Sequence, residues 1–219
     1  MNDTSTHRGR TIKTTKKSAV SRQRILEAAA KMLRERGYSG ARLSDIAELA
    51  DMKAGSLYYH FESREELVAE VMAVGLSQTV AAYEARLAEL PDDSSFEVRL
   101  RCAIETHVLQ LIDPSDFPAA MIKVLNEVPP ELRQLHLAGE RAYGEMWRDL
   151  LVAAQKAGAL RRDVDVSVAR MLIFGAMNWT VEWYRPEGGP AASVARQCAD
   201  FVLAGIAKAF VPARRRKVR

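Results

Sequence analysis

The chain has 219 residues, 48% of them hydrophobic, and a formal net charge of +4, enough apolar material for one sizeable core or for a small domain joined to a larger one. No apolar run approaches the roughly 20 residues that span a bilayer, and no apolar stretch follows the polar, basic start, as a secretory signal requires. A soluble, cytoplasmic protein with no membrane partner is expected.

Charge is concentrated at the ends. Residues 1–24 hold Arg8, Arg10, Lys13, Lys16, Lys17, Arg22 and Arg24 against Asp3 alone, and the tail holds Arg214, Arg215, Arg216, Lys217 and Arg219. With a total of only +4, the body between them is acidic. Two basic ends are either a nucleic-acid footprint or solvated tails that aid solubility. Residues 1–18 read as a disordered basic arm, poor in apolar residues, and 212–219 as a basic tail.

Ala, Leu, Glu and Arg fill the long segments, while Gly (12) and Pro (8) are few. These are helix formers, and strand-type alternation is nearly absent, so an all-α fold is predicted. After Ser21, Ile25, Leu26, Ala29, Met32 and Leu33 recur at helical spacing, and Gly37 ends that helix. A short helix follows near Ser44–Ala50, with Leu43, Ile46, Ala47 and Ala50 as its buried face. Asp51-Met52 is the break, and a third helix runs from about Lys53 to His60. Ser63-Arg64-Glu65-Glu66 reads as a capping box opening a long helix that Pro91 ends. Three helices joined by tight turns make a helix-turn-helix arrangement over residues 19–67.

At about 100° per residue, Leu57, Phe61 and Ala54 share one side of the third helix. Gly55, Ser56 and Tyr59 lie opposite, and Tyr58 and His60 flank them. The first three anchor the helix, and the rest face solvent or a partner. Ser56, Tyr58 and His60 suit phosphate oxygens, Tyr59 suits a base edge or a thymine methyl, and Gly55 allows close backbone approach. The helix N-terminus offers free N–H groups. A lid packed on the rest of the protein is the competing reading of this surface.

Beyond Pro91, helical patterns cover about Phe96–Ile112, Pro118–Glu127, Glu131–Ala157, Val166–Tyr184 and Ala191–Phe210. Short loops predict an antiparallel bundle within a second domain, 68–211. The last two segments are apolar nearly all round, which demands burial on two sides. One side serves the monomer, and the other serves either its own core or a two-fold partner. His107 sits on an apolar stripe and reads as a core histidine or a pocket group. Asn178, one turn after Phe174, reads as a buried polar group aimed into a pocket. Met121, Met146 and Trp147 line either core or cavity, and Trp179 and Trp183 are either packing or ligand contacts. Cys102 and Cys198 read as small buried hydrophobes. No zinc, nucleotide or hydrolase motif is present, so no cofactor and no enzyme are predicted.

Residues 21–67, above all SDIAELADMKAGSLYYHFESREEL, resemble the DNA-binding domain of the TetR family of transcriptional repressors. The resemblance implies a homodimer that binds a palindromic operator and releases it when a small inducer enters the C-terminal domain. It places Ser44, Lys53, Ala54, Gly55, Ser56, Tyr58, Tyr59, His60 and Arg64 where members touch DNA. Many members have Ser or Thr at the position of Arg42, so here either Ser44 caps the second helix or Arg42 binds a phosphate. The common Ser-Lys pair opening the third helix is Lys53-Ala54. The resemblance also implies a four-helix dimer interface built from the last two helices. Met177–Gly189, MNWTVEWYRPEGG, is similar to C-terminal regions of members that sense acyl-CoA or other lipid-derived ligands. The alternative is a ligand-independent architectural DNA-binding protein, which would lack a large cavity in the second domain.

Overall fold

The computed structural model of the protein describes residues 6–112 and 115–208, with side chains from residue 18 onward. The basic tail and most of the N-terminal basic side chains fall outside that range. Among the described residues all named elements are helices, and the lone β contact is an isolated bridge between Leu160 and Ala207.

α1 (Thr6–Gly40) begins inside the segment expected to be a disordered arm. A helix, once nucleated by a packed stretch, propagates at little cost into a neighbouring polar one. The packed stretch is the expected stripe, because Ile25, Leu26, Ala29, Met32 and Leu33 are all buried. Gly37 breaks the helix as the sequence suggests, with φ 69° and ψ −176°, a left-handed φ that glycine adopts without strain.

α2 (Leu43–Leu49), α3 (Ala54–Leu57) and α4 (Arg64–Ala88) complete the N-terminal unit. The α2–α3 turn passes through Asp51 at φ 54°, a left-handed position that Asp tolerates better than most residues. Arg24 of α1 clamps the turn by donating to the Ala50 carbonyl at 2.5 Å and to Asp51 at 3.3 Å. Ser63 caps α4 by accepting from the Glu66 N–H. The capping box closes one residue early, since the Glu66 carboxylate accepts from Glu62 N–H at 2.6 Å rather than from Ser63.

α5 (Phe96–Ile112), α6 (Asp116–Val124), α7 (Pro130–Lys156), α8 (Val166–Asn178), α9 (Thr180–Trp183) and α10 (Ala191–Ile206) form the rest. The single helix expected over Val166–Tyr184 steps at Trp179. There the Thr180 hydroxyl donates back to the Met177 carbonyl at 2.6 Å, a local bond that competes with regular helix geometry.

Two hydrophobic clusters organise the molecule. One joins α1–α4 to Phe117, Met121 and Val124 of α6, then to Val128 and Leu132. The other joins α5, α7, α8 and α10 with Tyr83 of α4. The division expected between residues 67 and 68 therefore falls inside α4, and α6 closes the core of the N-terminal unit. At Gly75, α4 comes so close to α6 that an added Cβ would sit 2.5 Å from the Phe117 carbonyl oxygen.

Candidate nucleic-acid interface and ligand cavity

The third helix is one turn long, followed by hydrogen-bonded turns that carry Tyr58, Tyr59 and His60 onward. Leu57 and Phe61 are buried and hold this segment to the core. Burial of such side chains is worth about 1.5–3 kcal/mol each. Arg22 stacks on Phe61 at 4.6 Å and pairs with Glu70, fixing the anchor from the outside. Tyr58 is 63% and Tyr59 81% exposed, and His60 sets its ring edge-on to Tyr59 at 5.1 Å. Ser56 and His60 are half-buried.

Arg42, Ser44, Lys53 and Gly55 are exposed on the same segment of chain. Ala54, expected to anchor the helix, is exposed as well. It is the first residue of a four-residue helix and lies at the end of the element, beyond the reach of the core. Arg42 takes the N-cap position of α2 with no side-chain cap. Ser44 does not cap the helix, because its hydroxyl donates to Asp45. The Ser56 N–H already donates to the Lys53 carbonyl, so the short helix presents fewer free N–H groups than expected.

Arg64 is turned inward. Its guanidinium lies 4.0 Å over the Tyr38 ring and donates to the Tyr38 and Ala41 carbonyls. It braces the α1–α2 junction. The Tyr38 hydroxyl donates to Glu65 at 3.3 Å, and the Tyr38 N–H donates to the Glu127 carboxylate at 2.7 Å. Glu127 lies just past α6 and fills the space a side chain at Gly37 would occupy, 2.6 Å from the place of its Cβ. Arg34 pairs with Asp116 at 2.7 Å, so polar links join α1 to both ends of α6.

A cavity of ≈ 390 Å³ lies on the far side of α6. Met121, Ile122 and Leu125 line it, with Leu76 and Thr79 of α4, His107 of α5, Tyr143 of α7, and Met171, Phe174 and Asn178 of α8. Arg133, Glu140, Arg141, Glu145 and Arg170 add charged groups to the lining. Arg170 is held by the Gly144 carbonyl at 2.9 Å and faces Glu145 at 3.6 Å. The His107 ring stacks on Tyr143 at 5.9 Å and meets Phe174 edge-on at 5.8 Å. Burial lowers the His107 pKa to about 4, against a weaker opposing effect of its hydrogen bond to Asn178. Burial also pushes the Tyr143 hydroxyl upward.

Of the six residues singled out for a ligand, His107, Met121 and Asn178 meet in this cavity. Trp147 is fully buried behind it, 5.4 Å from the Phe174 ring. Trp179 (65% exposed) and Trp183 (50%) lie outside it. Tyr143, Phe174 and the arginines of α7 join the cavity without having been among those six. The spacing of Tyr143 and Trp147, one turn apart on a long helix, was the available signal. Cys102 and Cys198 are free and half-buried. Among the described residues no group of His, Cys, Asp or Glu is placed to hold a metal, and no helix is long and apolar enough to cross a membrane.

A helix-turn-helix unit with an outward aromatic segment, sharing α4 and α6 with a partly open cavity, defines the class of ligand-responsive DNA-binding regulators. Residues 25–71 match the model of bacterial regulatory proteins of the tetR family, and residues 93–206 match the tetracyclin repressor-like C-terminal domain; the chain belongs to the TetR family. It is 31% identical over 194 residues to the HTH-type transcriptional repressor KstR2 of Rhodococcus jostii, covering 85% of this chain and 91% of that one. It also matches the crystal structure of the TetR family regulator PfmR from Thermus thermophilus, with TM-score 0.70, 31% identity, and 82% and 97% of the two chains covered. AibR, solved in complex with isovaleryl coenzyme A and operator DNA, shares the fold at TM-score 0.73 and 24% identity, with 84% and 97% covered. The chain is thus a DNA-binding transcriptional regulator, as the relatives it matches are, and regulators of this family are dimers.

Proposed function

We propose that this regulator is a cytoplasmic repressor whose operator is read by Lys53, Ala54, Gly55, Ser56, Tyr58, Tyr59 and His60, with Arg42 and Ser44 on the flanking phosphates. Its inducer is a hydrophobic chain with an anionic head, of the acyl-CoA kind. The cavity supports that ligand class through its apolar and aromatic wall and through Arg133 and Arg141, both exposed in the same lining. AibR, of the same fold, binds a short acyl-CoA together with operator DNA.

One observation carries the mechanism. α6 walls the cavity with Met121 and Ile122 and closes the core of the DNA-binding unit with Phe117, Ala120 and Val124. A ligand that favours a shifted α6 acts on α1 and α4 directly, so recognition segments in the two protomers separate. Only unequal affinity for the two arrangements produces that shift. An architectural protein has no need of such a chamber.

The dimer face we assign to α8 and α10. Val168, Leu172 and Phe201 are exposed there beside an open apolar groove, and Trp179 and Trp183 continue the stripe at helical spacing. Dimerisation sets two recognition segments about one DNA turn apart.

The test is operator release. An operator is selected from random-sequence DNA with the purified protein, and its affinity is followed by fluorescence anisotropy as octanoyl-CoA is added. Release is expected, and unchanged affinity at saturation sinks the reading.

A further inference from the structure

The polar interior of the cavity is a hydrogen-bond chain with a direction. Asn178 turns its carboxamide oxygen to His107 Nε2 at 2.9 Å, so Nε2 carries the ring proton and donates it. His107 Nδ1 is then a lone pair, and it accepts from the Tyr143 hydroxyl at 3.0 Å. The Tyr143 hydroxyl thus sends its proton to His107.

The Asn178 oxygen and His107 Nδ1 are both used as acceptors within the chain. What remains is the carboxamide nitrogen of Asn178, with no partner among the described residues, on a half-buried residue of the cavity lining. A ligand hydroxyl there needs a place for its own proton, and the chain offers none. A carboxylate is matched better by Arg133, Arg141 and Arg170 of the same lining than by an uncharged amide beside a ring that burial keeps neutral. A carbonyl oxygen needs only the donor.

We propose that the Asn178 carboxamide nitrogen donates to an uncharged carbonyl oxygen of the inducer, at the junction of hydrocarbon chain and head, and that His107 and Tyr143 are positioning residues that fix its orientation. This rests on the ligand class proposed above and names the functional group the site selects.

The probes are octanoyl-CoA and its thioether analogue octyl-CoA, which differ only in the carbonyl oxygen. Calorimetric titration of the full-length protein is expected to show about tenfold tighter binding of the thioester, the worth of one net hydrogen bond. In Asn178→Leu both probes should bind as the thioether binds the unaltered protein. Equal affinity of the two probes for the unaltered protein overturns the carbonyl contact and leaves the acyl-CoA class standing; binding of neither overturns both. Nitrogen NMR of the His107 ring tests the direction without a variant. A neutral Nε2–H tautomer is expected. An Nδ1–H tautomer reverses the chain, turns the amide oxygen to the cavity and overturns the proposal.

Discussion

The recognition segment and the ligand cavity hold similar side chains under opposite conditions. Tyr58, Tyr59 and His60 are displayed on a one-turn helix, held from beneath by two anchors. Tyr143, His107 and Asn178 come from three different helices and satisfy one another inside the protein. On the surface the aromatic groups wait for a partner and the fold barely depends on them. In the cavity the same chemistry serves the fold and the ligand together. Mutations should therefore separate stability from binding in the first region and couple them in the second.

The largest effect is expected beneath the recognition segment. Phe61→Ala should destabilise the protein by about 3–5 kcal/mol in chemical denaturation, since it removes a ring buried against α1 and α4. Next comes pH. The His107 pKa is lowered to about 4 from 6.5 when folded, so between these values the unfolded chain binds the extra proton. Stability should fall as pH drops through that window, by about 3 kcal/mol in all, and His107→Gln should remove most of that dependence.

Gly75→Ala should cost about 1–3 kcal/mol by forcing α4 from the Phe117 carbonyl, and should weaken operator binding through α6. Glu127→Gln exchanges a charged acceptor for a neutral one at the Tyr38 N–H, a loss of about 1 kcal/mol; a thermal melt with no shift would dissolve the α1–α6 link. The smallest effect on stability, within about 0.5 kcal/mol, is expected for Tyr59→Ala, which should nevertheless abolish specific operator binding. Full binding by that variant would break the contrast between display and burial.

The contrast also explains what could be read beforehand. Exposure on the third helix follows from its own periodicity, so neighbouring residues alone place Leu57, Phe61, Tyr58 and Tyr59. What that periodicity does not place are the helix ends and the residues held by distant partners. Ala54 lies at a helix terminus, and Arg64 is captured by Tyr38 and Ala41 of preceding segments. The cavity takes residues from α4 to α8, and no local pattern shows which face of each helix meets the others. Asn178 and His107 stood out because polar groups on apolar stripes need partners. Trp179 and Trp183 stood out for their size, which says nothing about which side of α8 and α9 they occupy.

The pairing of Gly37 with Glu127 reaches beyond this molecule. Glu127 holds the N–H of Tyr38, 89 residues away in the chain, and its carboxylate occupies the volume that a side chain at 37 would need. Among related sequences positions 37 and 127 should change as a pair. A chain that carries a side chain at 37 is expected to have a shorter residue at 127, and the DNA-binding unit of one relative grafted onto the ligand domain of another should work only when this pair is transplanted together.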